Sequence, residues 1–318
     1  MADKPKVILD IKDLSVDFKS EDGLIHAVRN VNLYVRHGKT LGIVGESGCG
    51  KSTLGRTLIQ LHKPTSGDVW FKDAKISGMK ASEFAPYRRQ MQMIFQDPYA
   101  SLDPRMNVHD IIAEPLVTYK VCANKEELTK KVLELMDAVG VPRDFLYRYP
   151  HQFSGGQRQR IGIARAIALR PSLVICDEPV SALDVSVQSQ VLNLLKDIQA
   201  QYGLTYLFIS HDLSVVRFIS NRVCVMFLGR VCEIGDSALI YEKPLHPYTK
   251  FLMNAIPIAD PHLRGEEKTL LEGELPSPIN PPKGCRFHTR CPYATEKCRT
   301  EEPALREVDG RKVACHMA

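Results

Sequence analysis

The chain lacks any apolar run long enough to cross a bilayer. Its longest runs, such as residues 173–176 and 223–228, fall far short of the roughly 18 residues a span requires. The N-terminal Met-Ala-Asp-Lys-Pro-Lys has no apolar stretch of the kind that opens a secretory signal, so a cytosolic protein is expected, with its nine cysteines reduced. No block of five or six like charges occurs. Forty-two basic against 37 acidic residues leave a net charge of only +5, which describes a solvated mixed-charge surface and not a groove for DNA or RNA. No internal repeat of roughly 20–50 residues is present, which excludes a solenoid. At 318 residues, 44% hydrophobic and 25% charged, the chain is long enough for one large globular domain and an appendage.

Glycine-rich loops stand out against this ordinary background. Gly45-Glu46-Ser47-Gly48-Cys49-Gly50-Lys51-Ser52 fits the eight-position phosphate-loop pattern. In that pattern backbone N–H groups wrap the phosphates, the lysine pairs with the outer ones and the hydroxyl of Ser52 reaches magnesium. Residues 41–44 before it form a short buried-strand pattern, and residues 53–61 after it a helical one ended by Lys63-Pro64. Cys49, among glycines, is read as a small packing residue. A second loop, Ser154-Gly155-Gly156-Gln157, offers a hydroxyl and unshielded N–H groups at a helix start, where the dipole favours a phosphate. One nucleotide needs one cradle. Two cradles roughly a hundred residues apart make sense if each chain lends its second loop to a nucleotide held by another chain.

The carboxylates Asp177 and Glu178 close the apolar strand pattern 173–176, at the edge where parallel sheets bind ligands. Asp177 is placed to orient the magnesium shell, and Glu178 to polarise the attacking water as general base. Gln96 and His211 each follow a strand pattern, residues 91–95 and 207–210, and can reach the same edge.

Coarse periodicity supplies the frame. Residues 7–18 and 27–35, broken by Glu21-Asp22-Gly23, read as antiparallel strands. Between about residues 97 and 170 the pattern is helical, with Leu128, Val132 and Met136 four apart and Asn124 and Glu127 as a capping pair. A strand at 173–176, a helix near 187–201 and strands at 205–210 and 223–227 then alternate, which predicts a largely parallel sheet covered on both faces. Around Asp260 the texture changes, and Pro276, Pro278, Pro281 and Pro282 mark a linker. The segment beyond it has too few large apolar residues to fold on packing alone.

In order and spacing these motifs resemble the nucleotide-binding subunits of ATP-binding-cassette (ABC) transporters over the chain from about Val7 to the end. The resemblance implies an α/β P-loop ATPase at residues 1–259, with a RecA-like core, an antiparallel β subdomain and a helical subdomain at about 97–170. A C-terminal extension follows at 260–318. It implies that Ser47, Gly48, Cys49, Gly50, Lys51, Ser52 and Thr53 hold ATP, and that Gln96 contacts magnesium and links to membrane subunits. His211 would bridge the γ-phosphate and the base, and Asp184 of Ser181-Ala182-Leu183-Asp184 would cross a dimer interface. Phe18 is the family position for stacking on adenine, with a core phenylalanine as the alternative.

Leu245-His246-Pro247-Tyr248-Thr249 and residues 273–278 resemble the tail of oligopeptide and dipeptide importer ATPases, within which the chain is similar to the F-type subunit of dipeptide permeases. That branch implies a cytosolic-face ATPase paired with a second homologous ATPase subunit, two permease subunits and an extracytoplasmic peptide-binding protein. Its members also import nickel, glutathione or oligosaccharides. A soluble ABC ATPase of translation or DNA repair is the rival reading, against which stand the single cassette, the weak charge and the absence of heptads. An exporter subunit is disfavoured by the tail alone. Cys285, Cys291, Cys298 and Cys315 are separated by five, six and sixteen residues, spacings of neither a CxxC zinc knuckle nor a ferredoxin run. All-sulfur ligation admits zinc or an iron–sulfur cluster, and free thiols are the third reading. The resemblance favours a structural 4Fe-4S cluster.

Overall fold

The computed structural model describes residues 6–255 and 275–318. From the N-terminus run β1 (Val7–Ser20), β2 (Gly23–Arg36), β3 (Thr40–Val44), α1 (Lys51–Leu58), β4 (Ser66–Phe71), β5 (Ala74–Lys75), α2 (Ala81–Gln90) and β6 (Met91–Ile94). The helices α3 (Val108–Thr118), α4 (Lys125–Ala138) and α5 (Gly155–Ile167) follow. Then come β7 (Leu173–Asp177), α6 (Val185–Tyr202), β8 (Thr205–Ile209), α7 (Leu213–Ile219), β9 (Arg222–Phe227), β10 (Arg230–Asp236), α8 (Ser237–Glu242) and α9 (Pro247–Asn254). Beyond residue 274 lie α10 (Glu296–Thr300), β11 (Arg306–Val308) and β12 (Arg311–Val313).

The chain divides into two compact units that interleave along the sequence. One comprises Arg36–Lys39 and Met79–Phe208; the other comprises Val7–Val35, Thr40–Gly78 and the described residues from Ile209 onward.

In the first unit the strand order is β8-β7-β6, with β6 and β7 parallel in the register Met91↔Leu173 to Ile94↔Cys176. Every residue of β7 and β8 is buried, as a strand covered on both faces requires. In α4, Val132 and Met136 are buried while Leu128 is half-buried. Asn124 caps this helix by accepting the Glu127 N–H at 2.9 Å, and the Glu127 carboxylate reaches back one residue further than the capping-box pattern predicts, to the Ala123 N–H at 2.8 Å.

In the second unit β2-β1-β4-β5 form a separate sheet, in which β1 and β4 are antiparallel. The first strand runs two residues and the second four residues closer to their turn than the alternation indicated. The remaining order is β11-β12-β10-β9-β3. Only β3 and β9 are parallel here, in the register Leu41↔Arg222 to Val44↔Val225, and β10, β12 and β11 continue antiparallel. The expectation of a largely parallel sheet therefore needs correction on this side. The β9–β10 pair turns over Leu228-Gly229, a tight hairpin, where the sequence pattern indicated no return strand. The C-terminal residues join this sheet through Glu233↔Val313 and Ile234↔Lys312, and Phe287, 2% exposed, packs edge-on against Phe227 at 5.3 Å. Packing the tail into a neighbour's core is how a segment with few apolar residues of its own becomes ordered. Residues 276–282 form no helix or strand, as four prolines dictate, and Asp260 lies outside the described residues.

Candidate functional site

The phosphate loop follows β3, whose five residues are all buried. Gly50 takes φ 98° and caps α1 without a side chain; a Cβ there would lie 2.1 Å from the Ala27 carbonyl oxygen, so only glycine lets the loop turn at this point. The first turn of α1 carries no acidic residue. Lys51 is 4% exposed, and its Nζ donates to the Gly45 and Glu46 carbonyl oxygens at 2.7 and 2.9 Å. Among the described residues no carboxylate pairs with it. A buried ammonium satisfied by carbonyl dipoles alone, beside unshielded helix N–H groups, is a receptor for a polyanion. Ser47 and Gly48 are exposed on the loop, and Ser52 and Thr53 are half-buried in the first turn of α1. Cys49 is buried at 1% exposure, and burial pushes its thiol up, which removes it as a nucleophile.

His211 belongs to the same unit. The Ser210 N–H donates to the Ile43 carbonyl at 3.1 Å, so exposed His211 stands just beyond the level at which β3 gives way to the loop. Asp212 beside it caps α7 by accepting the N–H groups of Ser214 and Val215. Phe18 is half-buried, with its ring edge-to-face against His62 at 5.1 Å.

The carboxylates lie in the other unit. Asp177, fully buried, ends β7; Glu178 follows with φ 47° and 9% exposure. Because β6 and β7 are parallel and in register at Ile94↔Cys176, the residues two positions on arrive at one edge. There the Gln96 Nε2 donates to the Glu178 Oε2 at 3.0 Å. A left-handed backbone at a non-glycine residue is costly and is sustained by its surroundings, here the turn in which the Ser181 hydroxyl donates to the Glu178 carbonyl at 3.1 Å.

Ser154, Gly155, Gly156 and Gln157 open α5 as a reciprocal capping box. The Ser154 Oγ accepts the Gln157 N–H at 3.4 Å, and the Gln157 side chain accepts the Ser154 N–H at 3.0 Å. Ser154 and Gly155 are exposed whereas Gly156 is buried. A Cβ on Gly156 would stand 2.4 Å from the Val187 Cγ1 of α6, a constraint no local pattern reveals. Asp184, exposed, is the N-cap residue of α6, and Val185 after it is 79% exposed. The phosphate loop, Phe18 and His211 thus fall in one unit, and Gln96, Asp177, Glu178, Asp184 and residues 154–157 in the other.

The Leu245-His246-Pro247-Tyr248-Thr249 motif supports the phosphate loop, a role the sequence alone did not disclose. Glu233, fully buried, accepts the N–H groups of Leu245 and His246 at 3.0 Å each. His246 caps α9 by accepting the Tyr248 N–H at 3.0 Å, and burial lowers its pKa to about 4. The Tyr248 hydroxyl in turn accepts the Glu46 N–H at 2.9 Å, tying α9 to the loop.

Cys285, Cys291, Cys298 and Cys315 line a single small cavity together with His246, His288 and His316. Burial raises the Cys285 thiol to about 11, with the neighbouring cysteines adding to the effect, and raises Cys291 as well. Among the described residues, no group of three or more His, Cys, Asp or Glu side chains converges closely enough to hold a single metal ion. The zinc alternative therefore lacks a preformed tetrahedral site.

No helix among the described residues is long and apolar enough to cross a membrane. A family model described as ABC transporter matches residues 28–181, and one described as oligopeptide/dipeptide transporter, C-terminal region, matches residues 232–298. The oligopeptide transport ATP-binding protein OppF of Escherichia coli (strain K12) is 52% identical over 321 residues, covering 98% of this chain and 96% of its own length. The di/tripeptide transport ATP-binding protein DppF of Pseudomonas aeruginosa (strain UCBPP-PA14) is 47% identical over 319 residues, covering 98% of each chain. Among solved structures, a dimeric ATP-binding cassette in a post-hydrolysis state bound to ADP and Pi matches with a TM-score of 0.67 and 31% identity, over 72% of this chain and 99% of its own. With loop, carboxylate edge and tail motif all in place along a full-length match, the chain belongs to the ATP-binding subunits of the oligopeptide/dipeptide ABC transporter family.

Proposed function

We propose that this chain hydrolyses ATP to power the import of di- or oligopeptides through a separate pair of membrane permease subunits, at the cytoplasmic face of the membrane. The observation that carries the reading is Lys51: a buried cation with no carboxylate partner among the described residues, at the head of a helix without acidic residues in its first turn. In this reading the loop 45–52 and Thr53 hold the phosphates, Ser52, Gln96 and Asp177 serve magnesium, and Phe18 faces the adenine. Glu178 draws the proton from the attacking water, with His211 beside the γ-phosphate, a contribution of about 10²- to 10⁴-fold in rate. Ser154, Gly155, Gly156 and Gln157 serve the nucleotide of a second, homologous ATPase subunit, and Asp184 faces that partner. The exposure of Ser154, Gly155, Asp184 and Val185 supports such a face. The ATPase domain is taken as residues 1–259, with its helical subdomain at about 97–170, and the extension as 260–318.

Reconstitution of the complete complex, with permeases and an extracytoplasmic binding protein, tests the reading. Hydrolysis stimulated by peptide-loaded binding protein, with peptide accumulating in the vesicle lumen opposite its side of entry, is the expected result. Stimulation by nickel, glutathione or an oligosaccharide instead would reassign the cargo.

The four-cysteine cavity is proposed to hold a 4Fe-4S cluster with a structural role, ligated by Cys285, Cys291, Cys298 and Cys315. Such a group, when bound, supplies a covalent staple to a segment with little core. Anaerobically purified complex should contain iron and acid-labile sulfide in equal amounts, and the absence of both would remove the cluster.

A further inference from the structure

The phosphate loop contains an acidic residue. Glu46 directly follows Gly45, so a carboxylate sits in a loop whose task is to receive a polyanion, and an uncompensated negative charge there opposes binding. The Glu46 Oε2 accepts from the Arg290 Nη1 at 2.8 Å, across 244 positions of sequence. The Arg290 side chain is 8% exposed and that of Glu46 30%, so the guanidinium is committed to this contact and is not a mobile surface arm. The Arg290 N–H donates to the Phe287 carbonyl at 3.0 Å, and the Phe287 ring is fixed between Phe227 and Tyr248, each at 5.3 Å. Tyr248 holds the Glu46 N–H. Both ends of Glu46 are therefore anchored to one aromatic cluster, the backbone through Tyr248 and the carboxylate through Arg290. Arg290 immediately precedes Cys291, one of the four cysteines around the neighbouring cavity.

We infer that Arg290 is a positioning residue for nucleotide binding: it neutralises and orients the Glu46 carboxylate, and so makes the ATP affinity of the phosphate loop depend on the cysteine-bearing segment. The inference rests on the reading of residues 45–52 as the ATP cradle. It gives the extension a part in the ATPase cycle of its own chain, with a residue that touches no substrate.

The test measures equilibrium binding of Mg-ATP, and separately KM and kcat for hydrolysis, in the assembled transporter carrying Arg290→Met, Glu46→Gln or both. Arg290→Met, which keeps the bulk and removes the charge, is expected to raise the ATP Kd and KM roughly tenfold, equivalent to about 1.4 kcal/mol, with kcat changed less than about twofold. Glu46→Gln should weaken binding less, and the double variant should return to the Glu46→Gln level, because removing the carboxylate removes the need for its partner. A role confined to holding the fold would not be rescued in this way. If the double variant binds as weakly as Arg290→Met, or Arg290→Met binds like the wild type, the inference is overturned. Should Arg290→Met fail to fold, Arg290→Lys is compared with Arg290→Gln, and the inference requires the lysine variant to bind ATP more tightly. A wild-type complex without saturable Mg-ATP binding would instead sink the assignment of the cradle itself, so the two failures are distinct.

Discussion

Replacing Gly156 by alanine tests whether the second loop depends on a packing constraint. The backbone of Gly156 is ordinary helix, so the substitution meets no conformational penalty, and alanine in place of glycine within a helix contributes about 0.5–1 kcal/mol in favour. Space is what opposes it. The new Cβ would lie 2.4 Å from the Val187 Cγ1, where carbon atoms prefer about 3.5–4.0 Å, so α5 and α6 must part by roughly 1 Å. Overpacking of this kind costs about 1–3 kcal/mol, leaving a net destabilisation of up to about 2.5 kcal/mol and a fall in melting temperature of up to several degrees. The functional effect should be larger, because residues 154–157 offer their N–H groups from the displaced end of α5. A 1 Å misplacement of a positioning group is worth about 10² in rate. Steady-state ATPase of the assembled transporter is the assay, with thermal melting alongside it. Gly156→Ala with Val187→Ala removes the obstructing methyls and should recover most of the activity. Gly155→Ala is the internal control, since its Cβ would meet only the end of the Leu183 side chain, at 3.3 Å. Near-normal hydrolysis by Gly156→Ala, or no recovery in the double variant, would refute the reasoning.

Glu178→Gln should leave Mg-ATP binding intact, lower turnover by about 10²-fold or more, and trap an ATP-bound dimer detectable by size-exclusion chromatography; ordinary turnover would remove Glu178 as the base. His246 supplies a pH dependence. Its folded pKa of about 4 lies below the ordinary 6.5, so the unfolded chain takes up a proton first as pH falls. Stability is full above pH 6.5 and is lost progressively down to about pH 4, by about 3 kcal/mol in all. His246→Asn, which retains a capping acceptor, should flatten that part of the melting-temperature profile between pH 7 and 4.5, and an unchanged slope would assign the loss to other groups.

What could be read in the sequence was local. A phosphate loop, a strand ending in two carboxylates and a Ser-Gly-Gly helix start are each written in fewer than ten consecutive residues, and their chemistry follows from side-chain type and backbone freedom. Even the meeting of Gln96 with Glu178 was within reach, because parallel neighbours in register deliver equivalent positions to one edge. Hidden from such reading were the contacts set by packing at long range. The clash awaiting a Cβ at Gly156 depends on Val187 of a different helix. The strands β11 and β12 are three residues each and rich in charge, so they carry no alternation; β12 is a strand because β10 offers it an edge.

The tail shows most clearly why the two kinds of information differ. As sequence, Leu245-His246-Pro247-Tyr248-Thr249 and the spaced cysteines are marks of a family without a stated purpose. In the fold, Glu233 is a fully buried carboxylate whose oxygens accept from Leu245, His246 and Arg311, Arg311 at 3.4 Å and itself 2% exposed, so the buried acceptors are satisfied. That arrangement seats α9, α9 presents the Tyr248 hydroxyl to the Glu46 N–H, and Arg290 closes on the Glu46 carboxylate from the cysteine segment. Arg311 comes from β12 and Arg290 from the segment before α10, so the extension contributes two of the cations on which the geometry and charge of the phosphate loop depend. A chain shortened before residue 275 would retain every local nucleotide motif, yet leave Glu233 without its guanidinium and Glu46 uncompensated. If Arg290 positions Glu46 as inferred, the extension is a component of the ATPase and not only a mark of its transporter branch.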